Sequence, residues 1–140
     1  MITPKQNFSI VIIIGALLLL SSCESSKEKA KKHLDAGIEL TAKSDLEGAL
    51  LEFNEAVRYD PENAETWYNR GITYYNLYEV EKALADYDKA LEINPDHLDV
   101  LVNRGNARVY NGDIDGGCKD WKKAKSLGKK GIDHKLRYCK

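Results

Sequence analysis

Cysteine is scarce in this chain of 140 residues, with three in all, which excludes a disulfide-dense miniature fold. Three prolines and ten glycines are too few for collagen-like or proline-rich low-complexity structure. Charge of one sign is lacking: the net charge is −1, so there is no global signature for binding a polyanion. The one long apolar run, Phe8 to Leu20, would reach about 20 Å as a helix, short of a hydrocarbon core of about 30 Å. There is no glycine-rich phosphate cradle, no G-x-S-x-G elbow and no cysteine beside a suitable base. His33, His97 and His134 show no metal-ligand spacing to one another or to cysteine. Hence no catalysis, cofactor or metal is expected, and neither nucleic acid nor a small-molecule substrate is an expected partner. With 43% hydrophobic and 31% charged residues, the chain has the makings of one soluble domain with a short appendage.

The appendage comes first. Met1 to Asn7 is short and polar, Phe8 to Leu20 is apolar, and small residues follow. This is the layout of a secretory signal, with a spanning anchor as the alternative. The exit, Leu20-Ser21-Ser22-Cys23, resembles a bacterial lipobox. The resemblance implies removal of residues 1–22, a diacylglyceryl thioether on Cys23, and acylation of the new amine, for example with palmitate. An ordinary signal with an incidental cysteine is the other reading. Several acyl chains together hold a protein stably where one does not. Residues 23–29 read as a lipidated N-terminus and tether, because Glu24 to Lys32 is rich in Ser, Lys and Glu. The address implied is the bacterial envelope. Glu24 stands where some bacteria read Asp as a retention signal for the inner membrane, which tilts the expectation to the outer one.

The rest of the chain repeats with a period of 34: Gly37, Gly71, Gly105; Ala56, Ala90, Ala124; Phe53, Tyr87, Trp121; Ala49, Ala83, Gly117; Leu50, Leu84, Cys118. Pro61 and Pro95 close the first two units. Each unit reads as two helices with apolar stripes at three-to-four spacing, as in Trp67, Ile72, Tyr74, Tyr75 and then Ala83, Leu84, Tyr87, Ala90, Leu91. Trp67, Gly71, Tyr74, Ala83, Tyr87, Ala90 and Pro95 resemble the tetratricopeptide repeat (TPR) family. The resemblance implies an all-α TPR solenoid of three antiparallel helix pairs sharing one continuous core. The units are 30–63, 64–97 and a degenerate 98–131, with a capping helix in 132–140. The third unit departs most: Leu101 for Trp, Arg108 for Tyr, Gly117 for Ala, Lys129 for Pro.

Cys118 and Cys139 are symmetric about the turn predicted near Leu127-Gly128-Lys129, so they face each other across a hairpin. A disulfide closing about 20 residues would add roughly 3 kcal/mol and staple the cap; two buried thiols are the alternative. Asn111-Gly-Asp113-Ile-Asp115-Gly116 opens like a Ca²⁺ loop, but Lys122 replaces the required Glu, so it reads as a turn. Charge is asymmetric: 16 acidic and 5 basic residues from Leu34 to Val100, 9 basic and 2 acidic from Lys119 to Lys140. The basic end reads as a solvated face, or as a structural adaptor's contact with an anionic envelope surface.

In this family the first helix of each pair lines a groove. By register that places Tyr68, Asn69, Ile72, Tyr75 and Asn76 in the second unit, and Val102, Asn103, Asn106, Val109 and Tyr110 in the third. Leu34 and Ile38 precede them, and Ile72 and Val109 fit packing equally well. Asn can bond an extended backbone and Tyr gives contact area at low entropic cost. Family members that clamp the terminal carboxylate of chaperones use Lys and Asn in the first unit, Asn in the second, and Lys and Arg in the third. Asn69 fits that pattern; Leu34 and Ile38 in the first unit, and Asp99 and Asn103 in the third, do not. The function implied is that of a scaffold or assembly module, anchored to the membrane by lipid. Its partner would be a peptide segment or helix of another envelope protein.

Overall fold

The computed structural model describes residues 26–139. The expected signal segment 1–22, the expected lipidation site Cys23 and the first residues of the expected tether lie outside the described residues, as does Lys140. Among the described residues the fold is all-helical: α1 (26–42), α2 (Leu46–Tyr59), α3 (Ala64–Asn76), α4 (Val80–Ile93), α5 (Leu98–Tyr110), α6 (Ile114–Ser126) and α7 (Asp133–Leu136). Three antiparallel pairs, α1/α2, α3/α4 and α5/α6, stack in chain order under a short cap. Among the described residues no helix is long and apolar enough to cross a membrane.

The 34-residue period sets the punctuation. The first helix of each pair stops on a left-handed residue at one register: Ser44 (φ 63°), Tyr78 (φ 60°) and Gly112 (φ 90°). Asp45 and Asp113 then cap the second helices, accepting from the amides of Gly48 and Gly116 at 3.0 and 2.9 Å. Asn63 caps α3 through Glu65 N–H at 3.0 Å, and His97 caps α5 through Val100 N–H at 3.4 Å. Pro61 and Pro95 follow the ends of α2 and α4. The third pair has Lys129 in place of that proline, and Gly128 at φ 98° makes the turn instead.

Small residues let the paired helices close. A Cβ on Gly37 would lie 2.5 Å from the Phe53 ring, one on Gly71 2.7 Å from Tyr87, and one on Gly105 2.5 Å from Trp121. The third pair approaches more closely still. A Cβ on Gly117 would come within 2.7 Å of the Gly105 carbonyl oxygen, so the alanine found at this register in the other units cannot stand here without moving backbone.

Three expectations change. The tether is shorter than 23–29, because α1 is already helical at Ser26, whose Oγ donates to the Tyr59 carbonyl at 2.8 Å. The cap is one four-residue turn of helix, Asp133–Leu136, followed by a turn, and not a helix through 132–140. Gly131 at φ 78° lies outside helical geometry, so the helix begins only after Ile132. The buried apolar residues form two clusters where one was expected. Leu34, Ala49, Phe53 and Ala56 pack within the first pair, while Val80, Tyr87, Val100, Leu101, Trp121 and Ile132 join the second and third pairs to the cap.

Thr66 of α3 is fully buried, and its Oγ1 has no hydrogen-bond partner. The next unit carries Val100 at the same register, equally buried. A buried hydroxyl without a partner costs about 1–3 kcal/mol, whereas a methyl group of the same shape costs nothing. Thr66→Val is therefore expected to stabilise the fold by about 1 kcal/mol in chemical denaturation, with an unchanged m-value.

Candidate functional site

α3 and α5 lie side by side and expose one shared face. The residues expected on it divide into three groups. Ile38, Asn76 and Tyr110 are exposed. Ile72, Tyr75, Val102 and Val109 are half-buried and pack against the core. Tyr68, Asn69, Asn103 and Asn106, expected to meet a ligand, are engaged within the protein. Asn103 Nδ2 donates to the Tyr68 hydroxyl at 3.0 Å. The Tyr68 ring lies 5.2 Å from His97 and 6.3 Å from Tyr87. Its phenol is pushed up to about 12, chiefly by burial, then by the charges of Asp99 and Glu65, against the bond from Asn103. Asn69 Nδ2 donates to the Glu65 carbonyl at 2.8 Å, and Asn106 Oδ1 accepts from Lys135 Nζ at 2.9 Å. Tyr68 and Asn103 thus join neighbouring repeats, and Asn106 holds the cap. Tyr75 and Tyr110 stand edge to face with centroids 6.0 Å apart, leaving the Tyr110 ring on the surface.

On the other side of the A helices, as the first helix of each pair is called, lies an arrangement the sequence reading missed. Arg70 of α3 makes a bidentate pair with Asp86 of α4 at 2.8 and 2.7 Å, and donates to Asn54 of α2 at 2.8 Å. One repeat later, Arg104 pairs with Asp120 at 2.9 and 2.6 Å and with Asp88 at 2.6 Å. Each arginine reaches sixteen residues forward, within its own pair, and sixteen back, to the preceding pair. Burial lowers both guanidinium pKa values, but the aspartate bonds and charges outweigh it and leave them above the usual range. Arg108 adds a second guanidinium to Asp120 at 2.9 Å. In the first pair, His33 takes this place: Nδ1 meets Glu52 Oε2 at 2.7 Å, and the ring stacks on Tyr59. The signal was available, since Arg70/Arg104 and Asp86/Asp120 share the 34-residue period.

Cys118 and Cys139 form a disulfide, with Cα atoms 5.6 Å apart, and tie the cap to α6. Three lysines of the basic end are paired within the protein. Lys123 pairs with Asp96 at 3.1 Å, Lys125 with Asp133 and Lys129 with Asp99. The acidic character expected at Asp99 is therefore offset by Lys129. Among the described residues no group of three or more His, Cys, Asp or Glu is clustered to hold a metal ion.

Residues 64–97 match the family profile described as tetratricopeptide repeat, and residues 37–77 match one described as TPR repeat. Together the two matches span residues 37–97. The third pair continues the same TPR geometry. Similar solved structures include the first TPR of Spaghetti (RPAP3) bound to HSP90 peptide SRMEEVD. It has a TM-score of 0.77 and 21% identity, over 79% of this chain and 90% of that one. The Arabidopsis OM64 TPR domain follows with 0.76 and 20%, over 80% and 94%. The TPR2B-domain:pHsp70-complex of yeast Sti1 gives 0.74 and 22%, over 79% and 95%. At such identities the likeness speaks for the TPR fold alone. A comparison with curated proteins gives no match.

Asp86 and Asp120 test the two arginine pairs unequally. Asp86 is 6% exposed and has Arg70 as its one cation, whereas Asp120 keeps Arg108 if Arg104 is lost. Removing one partner of a buried pair costs about 3–5 kcal/mol. Arg70→Met is expected to destabilise by about 3 kcal/mol in denaturant titrations. Arg104→Met should cost clearly less, and equal losses would contradict this assignment.

Proposed function

We propose that this chain is a lipid-anchored TPR module of the bacterial envelope that holds a peptide segment or helix of another envelope protein. It would act as a scaffold or assembly factor there. One observation carries the interaction reading: Ile38, Asn76 and Tyr110 remain exposed on the A-helix side after packing between repeats is satisfied. Large apolar and aromatic groups on a rigid scaffold supply contact area at small entropic cost. Two similar TPR structures are complexes, one with an HSP90 peptide and one with pHsp70, which supports peptide holding as the use of such a face.

The chaperone-type carboxylate is a poor ligand for this face. Leu34, Ile38 and Asn103 are uncharged, and Lys129 already has Asp99 as its partner. The anchoring half of the reading rests on Leu20-Ser21-Ser22-Cys23 behind the apolar run. The Cys118–Cys139 disulfide supports it, since disulfides persist in compartments outside the cytoplasm.

The test uses the full chain in bacterial cells. Wild type is expected to incorporate a palmitate label and to sediment with outer-membrane fractions, while Cys23→Ser does neither. Crosslinking in the same cells should then capture one envelope protein. Ile38→Asp/Asn76→Arg should lose it while keeping anchor and fold. Label on Cys23→Ser would overturn the anchor, and an unchanged crosslinking pattern would overturn the groove.

A further inference from the structure

The cap does more than cover the third pair. It forms one wall of a cavity of about 520 Å³ at the C-terminal end of the A-helix face. Tyr75 of α3, Tyr110 of α5, Ile114 and Trp121 of α6, and Lys135 and Tyr138 of the cap line it. Three of the large apolar side chains that the fold leaves on its surface meet here: Tyr110 (61% exposed), Ile114 (52%) and Tyr138 (76%). The edge-to-face pair of Tyr75 and Tyr110 fixes one side, and the disulfide pins the other.

No carboxylate lines this cavity; the Lys135 ammonium does, with the His134 imidazole next to it in the chain. Lys135 Nζ lies 2.9 Å from Asn106 Oδ1 and 5.3 Å from the centre of the Trp121 ring. Both partners are neutral. Lys123, Lys125 and Lys129 each have an aspartate, whereas Lys135 has no carboxylate partner among the described residues. An ammonium group offers three donors, so two remain for a ligand. An amide and an aromatic face orient the charge without neutralising it, and an apolar surround strengthens its attraction for an anion.

We propose that this cavity is an anchor pocket for a partner peptide carrying a large apolar side chain next to an acidic residue. The side chain enters between Tyr110, Ile114 and Tyr138, and the carboxylate pairs with Lys135. The proposal rests on the peptide-holding reading above and names the chemistry of the segment held.

The two tryptophans make the test direct, because each gives one indole N–H signal in a ¹⁵N-correlated NMR spectrum. Trp121 lines the pocket, and Trp67, bonded to the Pro61 carbonyl at 2.7 Å, does not. The probes are three capped peptides added to the full chain: Ac-Ser-Phe-Asp-Ser-NH₂, its Phe-Asn counterpart and its Ala-Asp counterpart. The Phe-Asp peptide should move the Trp121 signal and leave Trp67 in place, with a Kd near millimolar. The other two should bind about tenfold more weakly, as expected for loss of a charged hydrogen bond or of an apolar anchor. Lys135→Gln should abolish the preference for Phe-Asp over Phe-Asn, and Tyr110→Ala should abolish binding, both with Trp67 unmoved.

No Trp121 response at about 10 mM peptide would overturn the proposal, as would a preference for Asp that survives Lys135→Gln. So would a Trp121 shift that follows protein concentration and not peptide, which would assign the pocket to a second copy of the chain. A cellular partner lost in Ile38→Asp/Asn76→Arg but retained in Tyr110→Ala and Lys135→Gln would leave the interaction reading standing and refute the pocket alone.

Discussion

Each helix pair depends on an aromatic ring lying where a glycine has no side chain. Phe53, Tyr87 and Trp121 press against Gly37, Gly71 and Gly105 so closely that a single methyl group would overlap the ring. Because the ring of the second helix fills the space beside the first, the two axes approach without a void. Apolar burial is then concentrated between the helices of a pair. The opposite face of the first helix is left to meet neighbouring repeats or a ligand. In the third pair a second glycine, Gly117 of α6, lets the helices come closer still, because it lies against the Gly105 carbonyl and Val109 of α5. That departure from the first two units is a packing adjustment and not a loss of the repeat.

The arginine pairs solve a second problem. Stacking one pair on the next needs a contact that fixes register, and apolar side chains alone tolerate sliding. Arg70 and Arg104 each hold an aspartate in their own pair and an acceptor in the pair before. A planar guanidinium bound on both edges accepts few orientations. Such pairs contribute little net stability, because desolvation offsets most of the attraction, but they penalise any stacking that would leave the charges buried and unpaired. On the ligand side, Tyr68 and Asn103 make a lighter version of the same link. The stack is thus fastened on both sides, and what remains exposed between the fastenings is a narrow strip ending at the cap.

The fold was legible because its packing rules recur every 34 residues. Glycine, alanine and aromatic positions have one dominant reason to repeat, which is close approach of helices. The turn at Asn111 to Gly116 was legible too, and its Asp113 caps α6. Charged residues repeat with the same period, yet nothing in the sequence singles out Asp86 and Asp120, because a lone aspartate is usually solvated surface. Only the partner sixteen residues away marks them as buried. The asparagines were misjudged for a related reason. Asn69, Asn103 and Asn106 do point along the expected face, but whether an amide is free depends on neighbours in other repeats and in the cap. Lys135 lies outside the repeat, so no series announced it. The cap's helix ends at Leu136 and gives way to a turn, which the apolar pattern of the last ten residues does not encode.

The central claim is that glycine and ring are one unit, and a double-mutant cycle at Gly71 and Tyr87 tests it most directly. Gly71→Ala alone should cost about 2 kcal/mol of unfolding free energy, as overpacking does. In a Tyr87→Leu background, where the ring is gone, the same methyl group should cost far less, giving a coupling energy of about 1 kcal/mol or more. Additive losses would contradict the account, because the glycine would then be small for a reason unrelated to the ring beside it.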